Sequence, residues 1–255
     1  MGFADFRDRM LSGELLAGTF VKTPAYEVVE VLAQSGLDFI CLDAEHAPFD
    51  RSRLDACLAI ARALDFPALV RVEAGTPAAM LQALDSGAVG LVVPHVDSVE
   101  KARDVARSGR FGHYGRGYAG SSRWAGFATR GMPDLLAQSQ RETVIIAQIE
   151  EPEGVEAAGE IAAIEGIDGL FLGPADLSVA YGKTDQNSED LKAAFAQVGA
   201  AAKAAGKGYM TFVASADAAK DLRPLGLSAF FIASEHSWMR AAAQTAAQAI
   251  HDLDT

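Results

Sequence analysis

The chain reads as an α/β protein, a single (β/α)8 barrel of the TIM type over 1–255, on three observations. Its 255 residues suit one such barrel and are few for two separate α/β domains. Short apolar runs alternate with alanine-rich helical patterns from end to end. A glycine recurs just past the helical pattern and before the next apolar run: Gln34-Ser35-Gly36, Asp85-Ser86-Gly87, Ile164-Glu165-Gly166 and Pro224-Leu225-Gly226. Glycine takes the left-handed conformation that ends a helix at little cost, so each marks a stop. A doubly wound open sheet is the alternative this pattern leaves.

Taken in order, a strand is expected at 17–21 and a helix at 25–35, then strand 39–42 and helix 51–64. Strand 68–72 and helix 77–86 follow, then strand 90–93 and helix 99–107. Past a long connection come strand 144–149 and helix 154–164, strand 169–172 and helix 189–205, strand 208–213 and helix 216–222, and strand 229–232 and helix 238–253. The strand segments are continuously apolar, as parallel strands buried on both faces must be. The connection at 108–133 breaks the rhythm, being too long for an ordinary loop of this type. Its Gly, Ser and Arg residues could wrap an anion or cover a site; a surface excursion or subunit contact is the plainer alternative.

Composition narrows the function. Hydrophobic residues are 50% and charged residues 22% of the chain, which is globular. The formal charge of −12 repels a phosphate backbone, and no basic stripe interrupts it, so nucleic acid is not an expected partner. The start, with Asp5, Arg7, Asp8 and Arg9, is too charged for a signal peptide, and no apolar stretch reaches bilayer length. No membrane association is expected, and the cytoplasm is the expected compartment. Cys41 and Cys57 sit in apolar surroundings and read as buried free thiols.

Two of the apolar runs end in carboxylates: Gln148-Ile149-Glu150, and Leu172-Gly173-Pro174-Ala175-Asp176. A charged residue directly after a barrel strand lies at its C-terminal end, where such barrels build their sites. Two acids on neighbouring strands offer a hard divalent cation a few oxygens and leave room for water and substrate. Asp176 also fits a helix N-cap. Glu151 and Glu153 read instead as acids at the start of the next helix.

A second cluster, Asp43-Ala44-Glu45-His46-Ala47-Pro48, follows the second strand. Histidine titrates near neutrality and a carboxylate can orient it, so His46 is a candidate base, a solvated loop histidine being the bland reading. Arg71 ends the third strand, able to steady an oxyanion or to pair with Glu73 or Asp43. Gln148 shares a strand face with Glu150, as a substrate contact or as barrel filling. Among lysines only Lys22, just after the first strand, is placed for an imine, so metal activation is favoured.

As an ordered set, Asp43-Ala-Glu45-His46-Ala-Pro, Val-Arg71-Val, Asp85-Ser-Gly-Ala, Val-Val-Pro94, Gly115-Arg116-Gly, Ser122-Arg-Trp, Gln148-Ile-Glu150 and Gly173-Pro-Ala-Asp176-Leu-Ser resemble the HpcH/HpaI aldolase family along nearly the whole chain. The resemblance implies a metal-dependent class II aldolase. It would cleave 4-hydroxy-2-oxo acids to pyruvate or a relative such as hydroxypyruvate, plus an aldehyde, by way of a metal-stabilised enolate. It further implies Glu150 and Asp176 as ligands of Mg2+, Mn2+ or Co2+, His46 as base with Asp43 as its partner, and Arg71 as the group stabilising the enolate or alkoxide. Asp85 would tune the histidine, often from an adjoining subunit, in a homo-oligomer that is typically a hexamer. Gln148 and the backbone of Gly173, Pro174 and Ala175 would hold the 2-oxo acid carboxylate. His95, where the family commonly has an apolar residue, and Phe20 and Phe212 at strand mouths, bear on the aldehyde pocket. A malyl-CoA or citramalyl-CoA type lyase on the same barrel, or a barrel that only binds a 2-oxo acid, are the competing readings.

Overall fold

The computed structural model describes residues 2–254, and the first and last residues of the expected 1–255 domain lie outside them. In chain order the elements are α1 Phe3–Leu11, β1 Leu16–Val21, α2 Tyr26–Leu32, β2 Phe39–Asp43, α3 Arg51–Ala63, β3 Ala68–Arg71, α4 Pro77–Ser86 and β4 Gly90–Val93. They continue with α5 Val99–Gly109, α6 Met132–Glu142, β5 Val144–Ile149, α7 Pro152–Glu156, α8 Ala158–Ala162, β6 Gly169–Leu172 and α9 Pro174–Ala180. The chain closes with α10 Glu189–Ala205, β7 Gly208–Val213, α11 Ala216–Leu222, β8 Ala229–Ser234 and α12 Glu235–His251. The strands pair in parallel in sequence order, and β8 returns to β1, which closes the barrel and excludes the open-sheet alternative.

The barrel interior is filled by aromatic rings. Phe20, Phe39, Phe171 and Phe231 come from β1, β2, β6 and β8, yet meet at centroid separations of 4.9 to 6.0 Å, which is possible only across the axis. Room for them comes from glycine: a Cβ on Gly18 would lie 2.3 Å from the Phe39 ring. The floor is closed by α1, a helix absent from the sequence reading. Its Phe3, Phe6 and Met10 are buried, Phe6 against Phe39 and Met10 beneath Gly208.

Gly36, Gly87, Gly166 and Gly226 all take positive φ, as expected of helix stops. Elsewhere the boundaries move. The expected helix 25–35 is shorter, 154–164 is split at Ala157, and 238–253 begins at Glu235. The long connection carries α6, opened by Pro133 in the first turn, where its missing N–H costs nothing. Its other part folds around Trp124, Ala125 and Leu135. The Arg116 guanidinium stands 4.6 Å from the ring centres of both Phe111 and Trp124. This loop leaves the C-terminal end of α5, a helix running back from the strand tips, and Trp124 N–H donates to the carbonyl of Asp85 at the far end of α4. It therefore packs at the barrel's opposite end and does not cover its own mouth.

Candidate active site

Strand register builds the first half of the mouth. Asp43 and Arg71 end β2 and β3 side by side, and Arg71 donates Nε–H to Oδ1 at 2.9 Å and Nη2–H to Oδ2 at 2.7 Å. Lys22, just beyond β1, donates to the same Oδ2 at 2.6 Å. The Arg71 guanidinium also lies over the Phe20 ring, 4.4 Å from its centre. Burial opposes ionisation of Asp43, but the Arg71 hydrogen bonds and charge, aided by Lys22, outweigh it and draw the carboxyl down to a pKa of about 2. The ion pair weighed as an alternative for Arg71 thus exists, with Asp43. Because Nε and Nη2 are engaged there, Nη1 is the face left for a ligand.

Asp43 is not the carboxylate of the His46 imidazole. It accepts the backbone N–H of His46 at 3.1 Å, and its two oxygens are taken by cations. The carboxylate nearest the ring is Glu45, whose Oε2 is 3.7 Å from Nε2. The His46 ring is half-exposed, with 55% of its side chain open to solvent, as a base that meets a diffusing substrate must be.

The second half is centred on Glu150, which follows β5 and is buried. Gln148, two residues earlier and also buried, donates its side-chain N–H to Glu150 Oε2, and the backbone N–H of His95 donates to Oε1 at 2.8 Å. Burial raises the Glu150 pKa and the nearby Asp176 charge adds to the rise, against the two hydrogen bonds and His95. A carboxylate so placed is short of positive charge. Gly173 leaves the space: a Cβ there would stand 3.0 Å from Glu150 Cβ and 3.1 Å from Oε2.

Asp176 lies in the first turn of α9 and is exposed. The N-cap of that helix is Gly173, so the N-cap reading of Asp176 does not hold. No side chain caps α9, which leaves the amides of Ala175 and Asp176 among its free N-terminal donors. Pro174 is buried and Ala175 exposed. Phe212 is half-buried near the tip of β7.

Asp85 is at the end of α4, opposite the mouth, where Arg116 Nη2 donates to it at 2.6 Å. Nothing in this chain brings it near His46; the role expected of it requires a second subunit. Conversely, Glu151, read as an ordinary helix-start acid, accepts from the His95 ring at 2.5 Å. Glu45, Lys22, His95 and Glu151 join the mouth from turns just beyond the strands.

Hard oxygen donors suited to a dication are present. The buried acceptor atoms left without a hydrogen bond among the described residues are Glu45 Oε2, Gln148 Oε1 and Glu151 Oε2, all in this mouth. An unpaired buried acceptor costs about 1–3 kcal/mol, so the residues fit an electropositive ligand.

A closed barrel whose C-terminal mouth gathers carboxylates, imidazoles and a held guanidinium defines a (β/α)8 enzyme for acid–base chemistry on an anionic substrate. The sequence profile of the HpcH/HpaI aldolase/citrate lyase family matches residues 16–240. A hydroxypyruvate/pyruvate aldolase of Roseovarius nubinhibens is 36% identical over 209 residues, covering 79% of this chain and 80% of its own. A 5-keto-4-deoxy-D-glucarate aldolase of Klebsiella pneumoniae is 38% identical over 180 residues, 70% of each chain. The crystal structure of an HpcH/HpaI aldolase/citrate lyase family protein from Burkholderia cenocepacia superposes with a TM-score of 0.91 at 33% identity, covering 97% of this chain and 99% of that one. The chain belongs to the HpcH/HpaI aldolase/citrate lyase family, and it is a carbon–carbon lyase of the aldolase type.

Proposed function

We propose that this enzyme is a metal-dependent class II aldolase that reversibly cleaves 4-hydroxy-2-oxo acids to pyruvate or hydroxypyruvate and an aldehyde. The observation that carries the reading is the buried Glu150 carboxylate at the end of β5, held by Gln148 and the His95 N–H, in the same mouth as Asp176 in the first turn of α9 and an arginine fixed by Asp43. Glu150 and Asp176 are the residues proposed to hold the divalent ion, Mg2+, Mn2+ or Co2+. When bound, that ion supplies Lewis acidity that makes the C3 protons of a 2-oxo acid removable.

The remaining work falls to the chain. His46 takes the C3 proton, or in cleavage the 4-hydroxyl proton, on its exposed ring. Arg71 offers Nη1 to the developing oxyanion; fixed by Asp43, it needs no reorganisation when charge appears. Gln148 and the free amides at Ala175 orient the substrate carboxylate, and Phe212 with Phe20 shapes the apolar side. Lys22 is engaged by Asp43 at 2.6 Å, so an imine would first have to break that pair.

Chelation by EDTA should abolish lyase activity, and Mn2+, Co2+ or Mg2+ should restore it. Borohydride with substrate should leave the enzyme active; irreversible inactivation with label on Lys22 would replace this reading with an imine mechanism. The enzyme is further proposed to act in the cytoplasm as a homo-oligomer, hexameric by analogy with the family. Support comes from the bare faces of α12 and from the position of Asp85. No helix among the described residues is long and apolar enough to cross a membrane.

A further inference from the structure

A groove of about 1130 Å3 opens between α5, α6 and α8, at the end of the barrel opposite the mouth. Its position follows from the strand starts: Asp168 precedes β6, Lys207 precedes β7, Arg110 follows α5, and Arg7 lies on the floor helix α1. Asp168 is buried and the three cations are partly buried. Small-molecule sites are clefts of about 300–1,000 Å3, so there is room for a ligand here.

The charge of this groove is the reverse of the chain's. The protein carries −12 overall, yet Arg7, Arg103, Arg107, Arg110 and Lys207 line the groove against only Glu160, Glu165 and Asp168. Arg103, Arg107, Glu160 and Glu165 are all exposed and balance in number. The surplus therefore sits deep, where Arg7, Arg110 and Lys207 surround the single carboxylate of Asp168.

Asp168 cannot neutralise all three, because its acceptor capacity is filled. Oδ1 accepts Nε–H and Nη2–H of Arg7 at 3.2 and 2.8 Å, while Oδ2 accepts the Ile145 N–H at 2.8 Å and an Nη2–H of Arg110. An ionised carboxylate offers about four lone-pair sites, and these bonds use them. Lys207 turns instead to the Ile167 carbonyl at 2.6 Å, a dipole and not a countercharge. Arg7 keeps Nη1, and Arg110 keeps Nε, without a partner among the described residues. Burial lowers the Arg110 pKa, and the neighbouring Arg7 charge adds to the fall against the pull of Asp168. Arg103 has no ion pair among the described residues.

We propose that this groove binds a small polyanion, a ligand carrying two or more carboxylate or phosphate groups, neutralised by Lys207, the free edges of Arg7 and Arg110, and the exposed Arg103. Guanidinium edges suit both kinds of oxyanion, and an ammonium serves either as a point charge. The site lies at the far end of the barrel from the reaction assigned to the mouth and does not depend on it. Its cations come from α1, α5 and the turn before β7, so no single stretch of sequence displays them together.

The test is calorimetric titration of the metal-stripped, full-length enzyme with pyrophosphate and, separately, with tricarballylate. The parent should bind at least one of the two at millimolar concentration, and the probe that binds tells a phosphate ligand from a polycarboxylate. Lys207→Gln keeps a donor for the Ile167 carbonyl but removes the charge. It should weaken binding at least about tenfold, the loss of one charged contact, while Lys207→Arg retains it. Arg71→Ala, which removes a cation from the mouth, should leave the affinity within about twofold, as distant sites act independently. Failure of both probes to bind the parent would overturn the proposal, and so would binding of parental strength in Lys207→Gln. If Arg71→Ala then abolishes that binding, the anion sits in the mouth.

Discussion

Arg71 is held from three sides in the first half of the mouth. It is bonded to Asp43, stands 3.3 Å from Glu45 and lies over Phe20. Removing one preorganised oxyanion donor costs about 3 kcal/mol in the barrier, so Arg71→Ala should lower kcat/KM by a factor on the order of 100 or more. Arg71→Lys, which cannot grip both Asp43 oxygens, should recover only part. A folded Arg71→Ala enzyme with parental kcat/KM would make the arginine purely structural. Asp43 adds a pH signature. Its carboxyl is held near a pKa of about 2 against an ordinary 3.8, so the ion pair stabilises the fold above about pH 4 and loses that contribution as pH falls through about 2. Thermal melts from pH 5 to pH 2 should show this acid loss flattened in Asp43→Asn; an identical acid limb in parent and variant would contradict it. These residues were legible because strand ends fix side-chain direction: Asp43, Arg71, Gln148 and Glu150 all point inward by parity. Glu45, His95 and Glu151 sit on turns, where no period says which way a side chain goes, and their roles depend on partners 56, 55 and 50 residues away or more.

At the scale of elements, all eight strands were readable because buried parallel strands are apolar throughout, and their boundaries move by no more than two residues. The floor helix α1 was not. Its Phe3, Phe6 and Met10 have helical spacing, but Asp5, Arg7, Asp8 and Arg9 between them dilute a nine-residue pattern. The last helix, α12, has the opposite problem. It was readable from the sequence, yet in 17 residues only Glu235 is buried, and Met239 and Ile250 are exposed. Its substantial contacts with the barrel are to β8 and β1. Glu235 accepts the backbone N–H groups of Lys22 and Thr23 and ties the helix start to the mouth. We propose this anchored helix, with its uncovered Met239 and Ile250, as a subunit contact. Sedimentation of the intact enzyme should give an oligomer, and Ile250→Glu should shift it toward the single chain with the melting temperature of the barrel retained. A parent enzyme that sediments as one chain would refute the assembly.

For the molecule as a whole, the ordering of eight βα units and the acid-rich mouth were contained in the sequence. What it could not show was which mouth residues neutralise one another. The pKa values of Glu45 and Glu150 are both raised, burial being the largest cause. Raised carboxyls stabilise the fold below their ordinary pKa and lose that contribution as pH rises through the shifted value. Near neutrality burial of these carboxyls therefore works against the fold, a cost in stability of the kind functional sites carry.

The central claim is that this barrel enolises its 2-oxo acid donor with His46 as the base. The most direct measurement is exchange of the donor's C3 protons with deuterated water, followed by NMR in the metal-loaded enzyme with no aldehyde present. His46→Ala should suppress that exchange as strongly as it suppresses carbon–carbon bond formation. Exchange at the parental rate in His46→Ala would contradict the account, and would move the base elsewhere and leave His46 to position the aldehyde.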